Sequence, residues 1–181
     1  MKKFELTNEF IANRFGTKLF RIRALVEFGD VEAGELGGYV EKESNLGHDD
    51  NAWVYGNARV YGDALVYDNA RVYDNAWVYG DAQVSGDARV CGDARVCGNG
   101  DYAYAHGFGS VNRTTTFFRL KDGGVGVRCG CFYGTLAQFR DKIRETHGET
   151  KKAQEYLRLA DLMELRFEED ENEVGNRKYV E

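Results

Sequence analysis

Ala52-Trp53-Val54-Tyr55-Gly56-Asn57-Ala58-Arg59-Val60-Tyr61-Gly62-Asp63 contains two copies of one six-residue unit, and the unit runs on through the middle of the chain. Val54, Val60, Val66, Val72, Val78, Val84, Val90 and Val96 form one column. Ala52, Ala58, Ala64, Ala70, Ala76, Ala82, Ala88 and Ala94 form a second. A short repeat held in register this long sets the architecture before local propensity is considered. A period of six is not that of a helix, and a plain two-faced strand would keep no larger unit. It suits a chain wound as a triangular coil with three six-residue sides per turn. On each side valine and alanine point inward, and pairs such as Gly56-Asn57 or Asp68-Asn69 turn the corner. The expected fold is mainly β, a parallel β-helix.

The unit Val54-Tyr55-Gly56-Asn57-Ala58-Arg59 and its copies resemble the hexapeptide repeat of left-handed β-helix proteins, in which an aliphatic and a small residue fill the prism. The resemblance spans about residues 36–109 and implies a left-handed parallel β-helix. It carries no particular activity, because one fold hosts many functions. Taken whole, the chain also resembles phage and prophage hexapeptide-repeat proteins. The shared features are Leu36-Gly37-Gly38-Tyr39-Val40, the Asn-Ala-Trp-Val-Tyr-Gly repeats, and Cys129-Gly130-Cys131-Phe132-Tyr133-Gly134-Thr135.

Five regions are expected: an N-terminal strand or cap over 1–35, the coil over 36–109, a β-hairpin over 110–134, two helices over 135–167, and a flexible acidic tail over 168–181. Leu19 to Val26 is rich in strand formers and predicts one strand before the coil. Leu46 lies six after Val40, but Val54 follows Leu46 by eight, so two extra residues must bulge near Gly47-His48-Asp49-Asp50. Tyr102 and Phe108 continue the aliphatic slot, as Gly100 and His106 continue the small one, and bulky residues there suit the end of a coil. Lys121-Asp122-Gly123-Gly124 separates two strand-like runs, which predicts a hairpin. The second run places Cys129 and Cys131 on one face of a strand. Thr135 with Gln138 forms a capping box for a helix ending at Gly148, and a second helix is expected from Glu149 to Phe167. Its apolar stripe, widened by Leu159, Leu162 and Leu165, exceeds what a lone surface helix needs and predicts burial against a neighbouring chain. About four turns at a spacing of ~4.8 Å make a short prism with a thin core. The resemblance adds that such coils commonly pack as trimers, so a homo-oligomer is expected, trimer first.

The chain of 181 residues has a formal charge of −6. An acidic whole argues against bulk duplex DNA as a partner, because non-specific affinity comes mainly from neutralised phosphates. Residues 114–147 nevertheless hold six basic side chains against three acidic ones, so a local pocket for a small anion is compatible with the total. There is no apolar run of membrane-spanning length and no secretory leader pattern, and the four cysteines form no zinc framework. A cytoplasmic protein with reduced thiols, in a bacterial host cell, is the expectation.

With eighteen residues per turn, residues i and i+18 stack. Trp53 then lies over Arg71 and Arg89, and Arg59 over Trp77 and Arg95; Tyr55 stacks on Tyr73 and Cys91, and Tyr61 on Tyr79 and Cys97. Arginine beside stacked aromatics is what a base-and-phosphate ligand uses. The candidate ligand residues are therefore Arg59, Arg71, Arg89, Arg95, Trp53, Trp77, Arg119 and Arg128. Plain reinforcement of the stack, the first reading of these ladders, and burial in a subunit interface are the alternatives to a ligand surface. No catalytic constellation is legible. The preferred reading is a non-catalytic phage-type protein that sequesters a small anionic ligand, in its sharper form a nucleotide signal of host defence. The alternatives are a CoA-dependent hexapeptide acyltransferase with His106 as base, and a trimeric scaffold. His48 is expected in an exposed loop and His147 at a helix C-terminus, and no histidine pair has the spacing of the zinc-binding hexapeptide carbonic anhydrases. No metal and no cofactor are expected.

Overall fold

The computed structural model describes residues 1–109 and 111–168. The coil is a β-solenoid of three turns. Strand β3 (Leu36–Val40) opens it, after β1 (Phe4–Ala12) and β2 (Lys18–Ala24). Eight two-residue rungs follow: β4 (Trp53–Val54), β5 (Arg59–Val60), β6 (Leu65–Val66), β7 (Arg71–Val72), β8 (Trp77–Val78), β9 (Gln83–Val84), β10 (Arg89–Val90) and β11 (Arg95–Val96). Parallel pairing sorts them into three walls, β3-β5-β8-β11, β4-β7-β10 and β6-β9. The repeated valines and alanines are essentially inaccessible. Each residue pairs eighteen further on, as in Val54↔Val72 and Val60↔Val78.

The corners need left-handed backbone. Gly80 has φ 65°, and a β-carbon there would run into the carbonyl oxygen of Cys97. Asp68 and Asp74 also adopt positive φ, and their carboxylates accept from the amides of Gly86 and Gly92 one turn later, at 3.0 and 3.1 Å. Those corner N–H groups are thereby satisfied without a sheet partner.

The first turn is two residues longer, since Val40 pairs with Val60 and Leu46 with Val66. The surplus bulges after Leu46, as the spacing predicts. The bulge is packed, and His48 is not an exposed loop residue. Its ring stacks on Phe4 at 4.5 Å, Nδ1 accepts from the Lys3 amide at 3.2 Å, and Nε2 meets Glu43 Oε1 at 2.9 Å. The buried Lys3 ammonium donates to the carbonyls of Asp49, Asp50 and Ala52 at 3.3, 3.4 and 2.9 Å. Lys3→Met is expected to destabilise the fold by about 1–3 kcal/mol, because those carbonyls lose their donor. Burial pushes the Lys3 amine down to about 8, against the partial opposition of Asp50 and Asp49. Between pH 8 and 10.5 the unfolded chain then binds more protons at this site than the folded one, so this group makes stability rise with pH. The wild-type-minus-variant difference in urea unfolding should widen across that window; a difference that narrows would contradict the burial.

The N-terminal region holds two strands where one is expected. β1 and β2 form an antiparallel hairpin that extends the β3 wall into a six-stranded sheet. β1 escapes periodic reading because its register shifts between Leu6 and Phe10, which breaks alternation.

At the other end the solenoid stops at Val96, short of the expected residue 109. After a short 3-10 turn (Asn99–Asp101), β12 (Tyr102–Phe108) joins an antiparallel sheet with β13 (Arg113–Arg119), β14 (Val125–Cys129) and β15 (Phe132–Thr135). Tyr102 pairs with Phe118 instead of adding a rung over Val84. A tyrosine and a phenylalanine do not fit where valine fills the prism, so the last layer is closed by β13. The Arg89 amide donates to Thr116 Oγ1 at 2.9 Å, the Lys121 amide to Asp93 O at 3.0 Å, and Ala94 bridges Leu120. The predicted β13–β14 hairpin forms, but a second turn at Gly130 splits the following run, so Cys131 sits in a turn and not on one strand face with Cys129.

Helix α1 (Leu136–His147) starts with the Thr135–Gln138 capping box and ends at Gly148. Helix α2 (Lys151–Phe167) starts one residue after its cap Thr150, slightly later than expected. Its Ala153, Tyr156, Leu159, Ala160, Met163 and Phe167 are buried within this chain against α1 and the antiparallel sheet, while Leu162 and Leu165 remain exposed. No helix among the described residues is long and apolar enough to cross a membrane. The expected tail beyond Glu168 lies outside the described residues.

Candidate functional site

Parallel pairing sets Arg71 directly beside Arg89 on the β4-β7-β10 wall. Two positions earlier, Asn51, Asn69 and Asp87 form a parallel column, with Asn51 Nδ2 donating to Asn69 Oδ1 at 3.0 Å. The antiparallel sheet closes over this wall and brings Arg113, Thr114 and Gly130 to face it. Together these eight residues line a cleft of about 500 Å³. Arg113 lies across Gly130, which has φ 58° and where a β-carbon would overlap the guanidinium.

The electrostatics are unbalanced. Arg71 Nη1 pairs with Asp30 Oδ2 at 2.7 Å, and the Tyr55 hydroxyl donates to Asp30 Oδ1 at 3.1 Å. Burial acts to raise the Asp30 carboxyl, but Arg71 and these hydrogen bonds outweigh it and hold the group below its usual range. Arg89 and Arg113 have no carboxylate within ion-pair distance among the described residues. Like charges on directly paired strand positions repel. A polyanion would neutralise them and accept bidentate hydrogen bonds from their guanidinium forks.

The eight residues predicted from sequence do not form one site. Only Arg71 and Arg89 line this cleft. Arg59, Trp77 and Arg95 stack on the β3-β5-β8-β11 wall, with guanidiniums 4.9 and 4.2 Å from the indole centroid. Tyr61 and Tyr79 stack beside them at 5.2 Å. Trp53 is wholly buried, edge-on to Phe4 and Phe28 at 6.2 and 5.3 Å, so it presents no face to a ligand. Arg119 is interior as well: it donates to Gly123 O and Phe167 O at 2.9 Å and ties the hairpin to α2. Arg128 lies over Tyr73, 5.8 Å from the ring centroid. His106 is exposed, with Nδ1 against Thr114 Oγ1 at 2.8 Å. His147 stacks on Tyr156 at 6.0 Å. No cluster of three metal-ligating side chains occurs among the described residues.

Arg113, Thr114 and the asparagine column were missed. The column is readable in the sequence, because Asn51, Asn69 and Asp87 stand eighteen apart. Arg113 carries no such signal, since antiparallel pairing brings it in.

Cys91 is buried under the Tyr73 ladder, and desolvation pushes its thiol up to about 11. Cys131 is exposed in its turn. Iodoacetamide at pH 8 is therefore expected to alkylate Cys131 while leaving Cys91 unmodified until the protein is unfolded, as peptide mass mapping would report. Equal labelling of both in the folded protein would contradict this packing.

The walls, corners and inward columns define a β-solenoid built of hexapeptide-type repeats. The family model described as the YdcK beta solenoid repeat matches residues 52–68, 64–80 and 82–98, which lie within these rungs. No curated protein matches the chain.

Proposed function

We propose that this protein is a non-catalytic binder that captures a small polyanionic ligand of the nucleotide type in the cleft between the solenoid and the antiparallel sheet. One observation carries the reading: Arg71, Arg89 and Arg113, from two separate structural units, converge on one cavity, and two of them have no carboxylate partner among the described residues. Asn51, Asn69 and Thr114 add neutral hydrogen-bonding groups for phosphate oxygens. The phage-type role implied by the sequence resemblance, sequestration of a nucleotide signal, is the sharper form of this proposal. Association into a homo-oligomer, trimer first, belongs to it too, and the exposed Leu162 and Leu165 on α2 support it.

Calorimetric titration with ADP and with pyrophosphate at low salt tests the binding. Saturable heat from at least one, weakening as salt is added, is the expected result. No heat from either overturns the reading. Native mass spectrometry of protein purified from cells tests association, and a monomer at micromolar concentration removes that part.

A second reading, CoA-dependent acyl transfer with His106 as base, is favoured only by the contact of His106 with Thr114 at the rim of the cleft. Acetyl-CoA turnover that is unchanged in His106→Ala would dispose of it.

A further inference from the structure

Arg113 lines a second cavity as well. This one, of about 280 Å³, lies between the β14–β15 turn and the two helices, and Cys129 at the end of β14 and Cys131 in the turn, which flank Gly130, belong to its wall. Gly130 itself faces the first cleft. The side chain of Arg113 lying across Gly130 is therefore the boundary between the two compartments.

Their chemistries differ. The first offers three guanidiniums, two amides and a hydroxyl, with the Asp87 carboxylate as its one acidic group among the lining residues. The second is lined by Phe132, Phe139, Ile143 and Tyr156, with His147 stacked on Tyr156. Phe139 lies 5.5 Å from Phe132 and meets Tyr156 edge-on at 5.8 Å. Phe139, Ile143 and Tyr156 are buried, whereas Cys131, Lys142 and Thr146 at the mouth are exposed. An apolar floor with a polar rim suits a flat heterocycle, which would stack on the half-buried Phe132 ring over that floor while its edge keeps polar contacts.

We infer that the second compartment holds the base of a nucleotide carrying at least two phosphates, with its phosphates in the arginine cleft and Arg113 between the two parts. This rests on the nucleotide-type reading above and adds to it the place of the base, a separate aromatic compartment reached past Arg113. Arg113 then has two roles, a fork for a phosphate and a planar cation beside the base. Such a base contributes affinity through stacking that tolerates different heterocycles.

Titrations of wild type with ADP, pyrophosphate and adenosine separate the two levels. ADP is expected to bind roughly tenfold tighter than pyrophosphate, and adenosine only weakly, since one stacked base contributes about that factor. Phe132→Ala should bring ADP down to the affinity of pyrophosphate. Thr146→Trp, which fills the compartment from its exposed mouth without removing core side chains, should do the same. Should ADP and pyrophosphate bind wild type equally, the base compartment falls and the polyanion reading stands. If neither binds, both fall. If ADP is favoured but neither variant weakens it, the base sits elsewhere and the inference is overturned.

Discussion

Trp53→Ala is expected to cost about 3–5 kcal/mol of folding stability and to lower Tm by roughly 6–20 °C. The indole is wholly buried where the N-terminal region meets the solenoid, held by Phe4 and Phe28. Its loss leaves a cavity between the β1–β2 hairpin region and the β4 rung, which short rungs and a thin core cannot close by relaxing. Trp77 occupies the same slot of the repeat, in the same local sequence Asn-Ala-Trp-Val-Tyr-Gly, but is only half-buried. Trp77→Ala loses two cation–π contacts of about 0.5–1 kcal/mol each together with about 1 kcal/mol from partial burial, and should cost about 2–3 kcal/mol. Urea unfolding of both variants with unchanged m-values decides it. Equal shifts would mean that the N-terminal region does not seal the β4 wall.

Combined reversal of Arg89→Glu and Arg113→Glu is expected to weaken binding of ADP or pyrophosphate by at least about 100-fold, with each single change costing about tenfold or more. A hydrogen bond to a charged group contributes about 1.5–3 kcal/mol, and replacement by carboxylate adds repulsion to the loss. Neither guanidinium is held by a carboxylate among the described residues, so no native ion pair is broken and the fold should tolerate the change. Lys152→Glu, on the exposed side of α2, makes the same change in net charge as either single reversal, away from the cleft. It should leave affinity within about twofold. A comparable loss in Lys152→Glu would show that overall charge, not the cleft, governs binding.

The different fates of the two tryptophans indicate what is legible in the sequence. An eighteen-residue stacking rule sets both on a solenoid wall and pairs Trp53 with Arg71 and Trp77 with Arg95, as observed. It contains nothing about what lies outside the wall. β1 and the segment around Phe28 cover Trp53, and β1 is a bulged strand with no clean alternation. The same limit explains the mixed outcome for the arginines. Arg71 and Arg89 meet because rungs repeat, whereas Arg119 turns inward because α2 packs back over the hairpin and offers the Phe167 carbonyl. Arg113 joins the cleft only because β12 leaves the solenoid and returns as one edge of an antiparallel sheet.

The sequence by itself determined the solenoid, the register of its rungs, the bulge in the first turn and the capping of α1. Each of these depends on neighbours at a constant separation along the chain, through backbone hydrogen bonds and inward methyl groups that any equivalent turn repeats. Only the tertiary structure decided which wall is covered, where the solenoid stops and which guanidiniums share a cavity. Those outcomes arise where dissimilar segments meet once, with no period to announce them, and burial there is settled by the shape and hydrogen bonding of both partners together.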